Sequence, residues 1–343
     1  MIGIVAEFNP YHEGHKYLIN QARLQLGDEP IVVCMSGDYV QRGEPAIRNK
    51  FERASNTDAD LVIELPLPWS LSSAEGFARG AVGLLREFGC KYLAFGTECG
   101  NIEELLKIKY DNSEITNYLK SNPELTWPAA RSAVIGNDIL SFPNNILAYE
   151  YLKFIGNMIP FTIKRTNIHD GPNSAKCIRE TMVGPKLDDA IVTRLKMFEK
   201  SYYSQLPDSD NGIGNRLYDA VGMYNNLDDI IKNTKTKSVT ESRIRRLVLC
   251  AALGVQKDMN NGIPPYFRVL YANSTGTELL KKESTIPILI KPSKINTLDD
   301  VSKRVFALGA SAHDFYEYGF KEQNTISRGS DYRTGPIIVN NAQ

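Results

Sequence analysis

The first hundred residues alternate short apolar runs with amphipathic stretches, and this alternation limits the possible folds more than any other feature. The apolar runs lie at 2–6, 31–35, 61–65 and 91–95. Segments with helical periodicity separate them. Strands that alternate with helices form right-handed βαβ units, whose strands are parallel and buried on both faces. The sequence therefore predicts an α/β fold built on a Rossmann-like parallel sheet.

The length of 343 residues suggests two domains. A fifth strand is predicted at 160–166, and Gly184-Pro185 marks a boundary beyond which helical patterns dominate. We expect a Rossmann-like nucleotide-binding domain at 1–183 and a mainly helical α+β domain at 184–325. The polar, aperiodic residues 326–343 are expected to form a loosely attached tail.

Composition argues against a membrane or secreted protein but does not indicate a particular activity. Forty lysines and arginines balance 40 aspartates and glutamates, so net charge gives no indication of a nucleic-acid or membrane partner. The five cysteines are scattered and lack zinc-ligand spacing, as is typical of reduced thiols. There is no signal-peptide core and no apolar run near the roughly 18 residues of a membrane helix. We expect a soluble, cytoplasmic protein with no membrane partner.

A strand–turn–helix at the N-terminus carries the strongest chemical signal. His12-Glu13-Gly14-His15 follows the first apolar run and opens the first predicted helix. In open parallel sheets, ligands bind where strands lead into helices, and a helix N-terminus offers unpaired N–H groups to phosphate. The two imidazoles can also donate hydrogen bonds to phosphates and stabilise the charge that develops in adenylyl transfer. The alternatives for these histidines are a helix cap or a metal site.

No other segment competes as a phosphate site. The chain contains no G-x-x-x-x-G-K-[ST] loop, and Gly212 and Gly214 follow no predicted strand. We therefore predict that a nucleotide binds at the N-terminus, and we assign no protein metal ligands.

Several sequence blocks extend the motif to most of the chain. They are 7–15 (EFNPYHEGH), 35–45 (MSGDYVQRGEP), 60–66 (DLVIELP), 95–98 (FGTE) and 143–147 (PNNIL). In this order the blocks resemble the bacterial tRNA(Met) cytidine acetate ligase family of the H-x-G-H nucleotidyltransferase superfamily. Segments 266–270 and 286–289 are similar to that family too, so the resemblance covers nearly the whole chain, which is shorter than typical members.

The resemblance implies an ATP-dependent ligase that works in two steps. ATP and acetate would form acetyl-adenylate and pyrophosphate, with Mg²⁺ accompanying the ATP. The exocyclic amine of the wobble cytidine in elongator tRNA(Met) would then take the acetyl group, giving N4-acetylcytidine and AMP. The second domain would help to hold the tRNA.

The resemblance also implies site residues. His12 and His15 would be catalytic, because they would stabilise the adenylylation transition state. The implied ATP contacts are Val5, Ala6, Glu7, Phe8, Asn9, Pro10, Tyr11, His12, Glu13, Gly14, His15, Lys16, Tyr17, Leu18, Gly96, Asn144, Arg165 and Thr166. Plainer interpretations are a turn at Gly96, an N-cap at Asn144 and a surface arginine at Arg165.

Three other segments contain candidate functional residues. Ser174 and Arg179 occupy an S-x-x-x-I-R stretch that would bind phosphate or form an ordinary capped helix. The segment 36–45 is interpreted as an active-site loop that would meet acetate or the cytidine. His169-Asp170 is either a proton-handling pair or a structural hydrogen bond.

Basic residues of the second domain form a candidate RNA surface. Arg243, Arg245 and Arg246 share a predicted helix, and Tyr266 and Tyr271 would stack on bases. The other cations are Lys281, Lys282, Lys291, Lys294, Lys303 and Arg304. The alternative is an ordinary solvated face.

Two rival functions remain open at this point. One is a small-molecule nucleotidyltransferase that transfers AMP or CMP to a phosphorylated metabolite, which would have little use for the second domain. The other is a non-catalytic nucleotide- or RNA-binding adaptor, which would bind ATP without forming AMP.

Overall fold

β1 (Ile2–Ala6) lies near the centre of an eight-stranded sheet in the computed structural model, which describes residues 1–165, 175–320 and 327–339. The other strands are β2 (Ile31–Ser36), β3 (Tyr39–Val40), β4 (Glu44–Pro45), β5 (Leu61–Leu65), β6 (Tyr92–Thr97), β7 (Ile159–Lys164), β8 (Phe267–Ala272), β9 (Ile288–Leu289) and β10 (Ile337–Ile338). The sheet order is β10-β8-β5-β2-β1-β6-β7, with β9 beside β8, and β3 and β4 form a separate hairpin.

The five strands predicted for the first domain are present and parallel. β1 pairs with β2 on one side and with β6 on the other, so that Ile2 lies opposite both Ile31 and Tyr92. β2 continues to β5, and β6 continues to β7. The predicted Rossmann-like sheet is therefore confirmed, with β7 ending at Lys164, before the predicted bound of 166.

Helices connect and cover the strands. They are α1 (Glu13–Leu26), α2 (Lys50–Ser55), α3 (Leu67–Ser70), α4 (Ala74–Glu87), α5 (Ile102–Leu106), α6 (Asn112–Ser121), α7 (Trp127–Ile135), α8 (Pro143–Phe154), α9 (Ala175–Thr181), α10 (Asp188–Leu195), α11 (Lys200–Tyr203), α12 (Ile213–Met223), α13 (Leu227–Thr234), α14 (Glu241–Leu253), α15 (Ser274–Leu279) and α16 (Asp300–Tyr318). None of the helices described combines the length and the apolar surface that a bilayer crossing requires.

Both faces of the sheet are apolar, which explains the continuous apolar runs in the sequence. Along β2, Val32 and Cys34 belong to the core beneath α4 and α8. Ile31, Val33 and Met35 alternate with them and belong to the core beneath α1 and α2. Because successive side chains of a strand point to opposite faces, a strand covered on both sides needs apolar residues at every position.

The helices between 188 and 253 have an apolar core of their own. Tyr203 is fully buried in this core, and its hydroxyl donates to the Leu195 carbonyl at 2.6 Å. Tyr39 from the hairpin and Tyr316 from α16 also belong to this core. The helical part therefore packs directly against the hairpin that follows β2.

The sheet crosses the division expected at 183/184, which stays a prediction. β8 pairs antiparallel with β5, so that Val62 lies opposite Tyr271. β9 and β10 then pair with β8. The strands that follow the helical part extend the first sheet and form no second sheet among the residues described.

The expectation of a loosely attached tail is wrong for residues 327–339. Asp331 is fully buried, and β10 places Ile337 opposite Tyr271 of β8. Lys50 Nζ donates to Asp331 Oδ2 at 2.8 Å across 281 positions of sequence. A polar, aperiodic segment gives no local sign of such distant partners, which is why the sequence pattern misled.

Candidate active site

The order of the strands changes direction beside β1. From β1 the strand order runs through β2 to β5 on one side, and through β6 to β7 on the other. Loops that leave the carboxyl ends of β1 and β6 diverge at such a switch point, and ligands of open α/β sheets bind there. We call the β6–β7 side, where ATP contacts are predicted, the nucleotide side. We call the β2–β5 side, where the loop predicted to meet acetate or the cytidine follows β2, the acceptor side.

His12 begins the helix that follows β1. Its Nδ1 accepts the Gly14 amide N–H at 3.0 Å, which makes His12 the N-cap residue of α1. The helix-cap interpretation is therefore confirmed for His12. Because a neutral imidazole carries one N–H and Nδ1 is an acceptor here, the ring proton is on Nε2. The cap therefore fixes which nitrogen of the neutral His12 ring carries the hydrogen.

The amide groups of the first turn differ from expectation. The His12 carbonyl accepts the His15 N–H at 2.9 Å and the Lys16 N–H at 3.2 Å, and Gly14 is bonded to the His12 ring. These three amides are not the unpaired donors that the sequence interpretation assumed, because His12 satisfies them with its carbonyl and ring. Imidazole N–H groups and the helix dipole are what this turn can offer to an anion.

Aromatic packing fixes the second histidine against the first. The His12 and His15 ring centroids lie 3.9 Å apart with an interplanar angle of 27°. Phe8 packs edge-on against His15 at 4.9 Å, and Tyr11 lies parallel to it at 5.8 Å. The two imidazoles are therefore presented together as a stacked pair, and both are half-buried.

The turn that carries the pair is held from three directions. Asn9 Oδ1 accepts the Ile47 N–H at 2.9 Å, and the Asn9 carbonyl accepts from Arg179 Nη1 at 3.0 Å. Arg53 donates to the Glu7 carbonyl. Phe8 has a φ of 45°, a conformation that bulky side chains adopt only when their surroundings enforce it. Strain of this kind is typical of functional sites.

On the nucleotide side, a carboxylate caps α8. Glu98, just beyond β6, accepts the Asn145 N–H at 2.9 Å and the Asn144 Nδ2–H at 2.6 Å. Asn145 Oδ1 in turn accepts the Glu98 N–H at 2.9 Å. Asn144 is thus not the N-cap that the plainer interpretation suggested, because Phe142 occupies that position. Its side chain is held by Glu98. The sequence indicated Glu98 only as a member of the block 95–98 and gave it no role of its own.

Gly96 and Arg165 lie together on the same side. Gly96 pairs with Ile163 of β7, and a Cβ at Gly96 would meet the Arg165 side chain at 3.5 Å. Arg165 is exposed, and its N–H donates to the Thr97 carbonyl at 2.8 Å. Thr166, His169, Asp170 and Ser174 lie outside the described residues.

The other predicted ATP contacts lie along β1 and α1. Ala6 is buried in β1 and Val5 is half-buried. Glu13, Lys16 and Tyr17 are exposed on α1. The remaining members, Pro10 and Leu18, are half-buried near the histidine turn. The described members of the predicted set therefore lie from β1 to the first part of α1, at the end of β6, just beyond β7 and at the start of α8.

On the acceptor side, the hairpin of β3 and β4 contacts Glu7. Glu7 Oε1 accepts the Gln41 N–H at 2.6 Å. Burial raises the pKa of the Glu7 carboxyl, although the bond to Gln41 and the charges of Arg42 and Arg53 oppose that rise. The predicted active-site loop is thus a hairpin fastened to the end of β1.

A buried ionic network lies beneath this hairpin. Lys50 Nζ is 3.1 Å from Glu64 Oε1 and 2.8 Å from Asp331 Oδ2. Arg268 Nη2 donates to Asp331 Oδ1 at 2.7 Å, and Arg268 Nε lies 3.4 Å from Glu64 Oε2. The sequence interpretation missed this network. A signal was available, since Glu64 and Arg268 are charged residues inside otherwise apolar strands.

His313 of α16 joins the same network through the loop that follows β2. Its Nδ1 is 2.7 Å from Asp38 Oδ2. Burial alone would raise the pKa of Asp38, but the charges of His313 and Lys50 lower it to about 2. Burial alone would lower the pKa of His313, but Asp38 raises it above the ordinary value of 6.5. The two shifts therefore favour a protonated His313 ring beside an ionised Asp38 carboxylate.

These pKa shifts predict how stability depends on pH. A raised histidine pKa stabilises the fold below about pH 6.5, and this contribution is lost as pH rises through the higher pKa of the folded state. We expect the unfolding free energy of the wild type to fall as the pH rises through the pKa of His313 in the folded state. His313→Gln, which keeps a donor for Asp38 but cannot titrate, should flatten this dependence. Lys50, Asp331 and Glu317 also face the ring and stay in both proteins. Identical urea midpoints against pH would contradict the assignment.

The candidate RNA surface is wrong in several members. Arg246 is buried and donates to the Gln41 carbonyl at 3.2 Å, and Arg243 donates to the Asp208 carbonyl at 2.9 Å. Tyr266 and Tyr271 are also buried and cannot stack on bases as they stand. Hydrophobic periodicity did not show that these residues are buried, because helix α14 and strand β8 are buried on nearly all sides and have no distinct exposed face.

The metal alternative for the histidines gains no support. In the part of the chain that the structure covers, no three histidine, cysteine, aspartate or glutamate side chains are grouped as metal ligands. The arrangement at the end of β1 is a stacked pair of imidazole rings at a helix start. It suits a polyphosphate.

Comparison with known proteins identifies the family of this chain. The model of the HIGH Nucleotidyl Transferase family matches residues 1–191 and 173–331. A tRNA(Met) cytidine acetate ligase of Clostridium novyi is 33% identical, over 98% of this chain and 99% of the relative. Another, of Acetivibrio thermocellus, is 31% identical, over 99% of this chain and 100% of the relative. The first alignment spans 404 positions against 343 residues here, so the relative has insertions that this chain lacks.

A solved structure shows the same fold. The crystal structure of Thermotoga maritima TmcAL bound with alpha-thio ATP superposes with a TM-score of 0.85 and 27% sequence identity. The match covers 99% of each chain. That protein binds an ATP analogue on the fold described above.

Proposed function

Because the chain belongs to the tRNA(Met) cytidine acetate ligase family, within the HIGH nucleotidyl transferases, we propose that it acetylates the wobble cytidine of elongator tRNA(Met) in an ATP-dependent reaction. The observation that carries the proposal is the stacked pair of His12 and His15 at the switch point of the sheet. ATP, acetate and tRNA are the substrates. The products are N4-acetylcytidine, AMP and pyrophosphate.

The first step joins acetate to the nucleotide. A carboxylate oxygen of acetate attacks the α-phosphorus of ATP, and the bond from that phosphorus to the bridging oxygen breaks. Pyrophosphate leaves with the bonding electrons, and acetyl-adenylate remains. Negative charge grows on the phosphoryl oxygens and on the leaving group, so donors placed there lower the barrier.

His12 and His15 are the groups that meet this charge. The cap to Gly14 sets the proton of neutral His12 on Nε2, which can then donate to a phosphate oxygen. Packing against Phe8 and His12 keeps His15 in one orientation. Preorganised donors of this kind need no rearrangement during the reaction.

The nucleoside half of ATP lies on the nucleotide side. Gly96 lacks a side chain that would cover the end of β6, and Asn144 is oriented by Glu98. Arg165, with Thr166 beside it in sequence, supplies a cation at the end of β7. Mg²⁺ enters as the complex with ATP, whose phosphate oxygens provide most of its ligands.

The second step transfers the acetyl group. The N4 amine of cytidine attacks the acetyl carbonyl carbon, the bond to the AMP oxygen breaks, and the amine loses a proton. We propose that the part of the chain from 184 to 325 holds the tRNA. Its packing against the hairpin supports this role, because RNA bound there would lie close to the acceptor side. The reaction belongs to the cytoplasm, where tRNA is available.

Incubation with labelled acetate, ATP and bulk tRNA tests this function. The tRNA is digested to nucleosides, and label should appear in N4-acetylcytidine only when ATP is present. Purified elongator tRNA(Met) should be labelled and initiator tRNA(Met) should not.

The rivals give different results in the same assay. A small-molecule nucleotidyltransferase would show pyrophosphate exchange stimulated by phosphorylated metabolites and not by acetate. An adaptor would bind ATP without forming AMP. Either result would contradict the proposed ligation.

A further inference from the structure

We propose that Arg42, at the tip of the hairpin formed by β3 and β4, binds the carboxylate of acetate during the first step. The inference rests on the proposed function and adds an acetate-binding residue to it. The supporting observations are the backbone contacts that hold the hairpin tip, its place beside Glu7, and a guanidinium that makes no hydrogen bond or ion pair with any described residue.

The turn at Arg42 admits one local conformation. The Gly43 N–H donates to the Val40 carbonyl at 2.9 Å and closes a tight turn between the two strands. Gly43 has a φ of +81°, and a Cβ built there would overlap the backbone nitrogen of Arg246 in α14. Only glycine fits so close an approach in that conformation. The turn is therefore packed against the helical part.

The residue before Arg42 is held on both sides of its backbone. The Gln41 N–H donates to Glu7 Oε1 at 2.6 Å, and the Gln41 carbonyl accepts from Arg246 Nη1 at 3.2 Å. These contacts tie the turn to the end of β1 and to α14 at once. A side chain that follows such a residue starts from a fixed Cα position.

The base of the hairpin is fastened as well. The Tyr39 hydroxyl donates to the Ala312 carbonyl at 3.1 Å, and the Tyr316 hydroxyl donates to the Ala46 carbonyl at 2.9 Å. Both contacts involve helix α16. The hairpin therefore has fixed ends and a fixed tip, which suits a group that must be placed accurately.

The Arg42 side chain lies at the surface of this tip. Arg42 is exposed, and in the ranges 1–165, 175–320 and 327–339 its side chain makes no ion pair or hydrogen bond. Its charge still acts on the carboxyl of Glu7, which places it near the end of β1. An unpaired cation on so rigid a support is available to a ligand.

The direction of attack and the charge of acetate indicate that this ligand is acetate. In-line displacement places the attacking oxygen opposite the leaving pyrophosphate. The hairpin is bonded to Glu7 at the end of β1, beside the histidine turn that is proposed to bind the phosphates, so a group at its tip can hold the attacking carboxylate there. Acetate and the triphosphate are both anions and repel each other. A planar guanidinium matches a carboxylate with two parallel hydrogen bonds and offsets this repulsion.

Acetate-dependent exchange between ATP and pyrophosphate, measured without tRNA, tests the proposal. Arg42→Ala should raise the KM for acetate about tenfold or more, as expected for loss of a charge-assisted hydrogen-bonded pair. The KM for ATP should stay within about twofold of the wild-type value. Arg42→Lys should recover part of the loss, because it keeps the charge but not the paired donors.

Two further variants separate position from charge. Gly43→Ala keeps the arginine but displaces the turn, so it too should raise the KM for acetate. Arg48→Ala is the matched control, since Arg48 lies beyond the hairpin and pairs with Glu52 at 3.4 Å. It should leave both constants unchanged.

The outcomes distinguish this proposal from the function it rests on. If wild-type protein shows no exchange with acetate, the proposed ligation itself fails. If the wild type exchanges and Arg42→Ala has an unchanged KM for acetate, the assignment of Arg42 is overturned. It is equally overturned if a separate acetyl-transfer assay with tRNA shows that Arg42→Ala raises only the KM for tRNA, because the arginine then contacts RNA phosphate.

Discussion

Replacing His15 with alanine should slow acetyl-adenylate formation about a hundredfold or more, which corresponds to roughly 2.7 kcal/mol of lost transition-state stabilisation. The effect is expected because a preorganised donor acts where charge develops in the transition state. The rate is measured as pyrophosphate exchange at saturating ATP and acetate. The loss should appear in kcat, since the interaction strengthens in the transition state.

Two variants define what the His15 result means. Asn20→Ala changes an exposed residue further along α1 and should keep wild-type exchange. His12→Asn keeps a good N-cap for the helix but removes the imidazole donor, so it should lose activity without unfolding α1. Near-normal turnover of His15→Ala, in protein that melts like wild type, would remove His15 from the mechanism.

The second large effect is expected on stability. Asp331→Ala should lower the unfolding free energy by about 3–5 kcal/mol, because it leaves two buried cations without their shared partner. Lys50 and Arg268 both contact Asp331, and they hold the pKa of its carboxyl below the ordinary value although burial opposes this. The change is measured by urea denaturation.

The control for Asp331 is an exposed aspartate in a comparable pair. Asp258 lies 3.3 Å from Arg304, and the side chains of both are more than half exposed. Because exposed ion pairs contribute about 0–1 kcal/mol, Asp258→Ala should change stability little. A loss of less than about 1 kcal/mol for Asp331→Ala would mean that residues 327–339 do not anchor the fold.

The parallel sheet was predictable because its signal is local. Each strand of the first domain is an apolar run bounded by turn residues, and β1 shows this most clearly. The start of α1 was equally visible, since His12 and Gly14 follow the strand directly. Local patterns of this kind report burial without knowledge of partners.

The acceptor side was not predictable in the same way. Lys50 and Asp331 are 281 positions apart, and nothing near either residue indicates the other. The same holds for Arg246, which looks like a surface cation in sequence but is fixed beneath the hairpin by the Gln41 carbonyl. Long-range pairing of charges depends on the fold, which periodicity does not give.

The backbone N–H groups of the first turn of α1 show a second limit on what the sequence can predict. Gly14 at a helix start suggested open N–H groups, yet the ring and carbonyl of His12 occupy them. Sequence identifies which residues stand at a helix end. It does not decide whether a side chain there serves the helix, a ligand, or both through different atoms.

A crystal structure with a non-hydrolysable ATP analogue examines the role of the two histidines most directly. The expected result places the phosphates within about 3 Å of imidazole nitrogens of His12 and His15, with the nucleoside toward β6 and β7. Phosphates bound away from this turn, or rings turned into the interior, would contradict it.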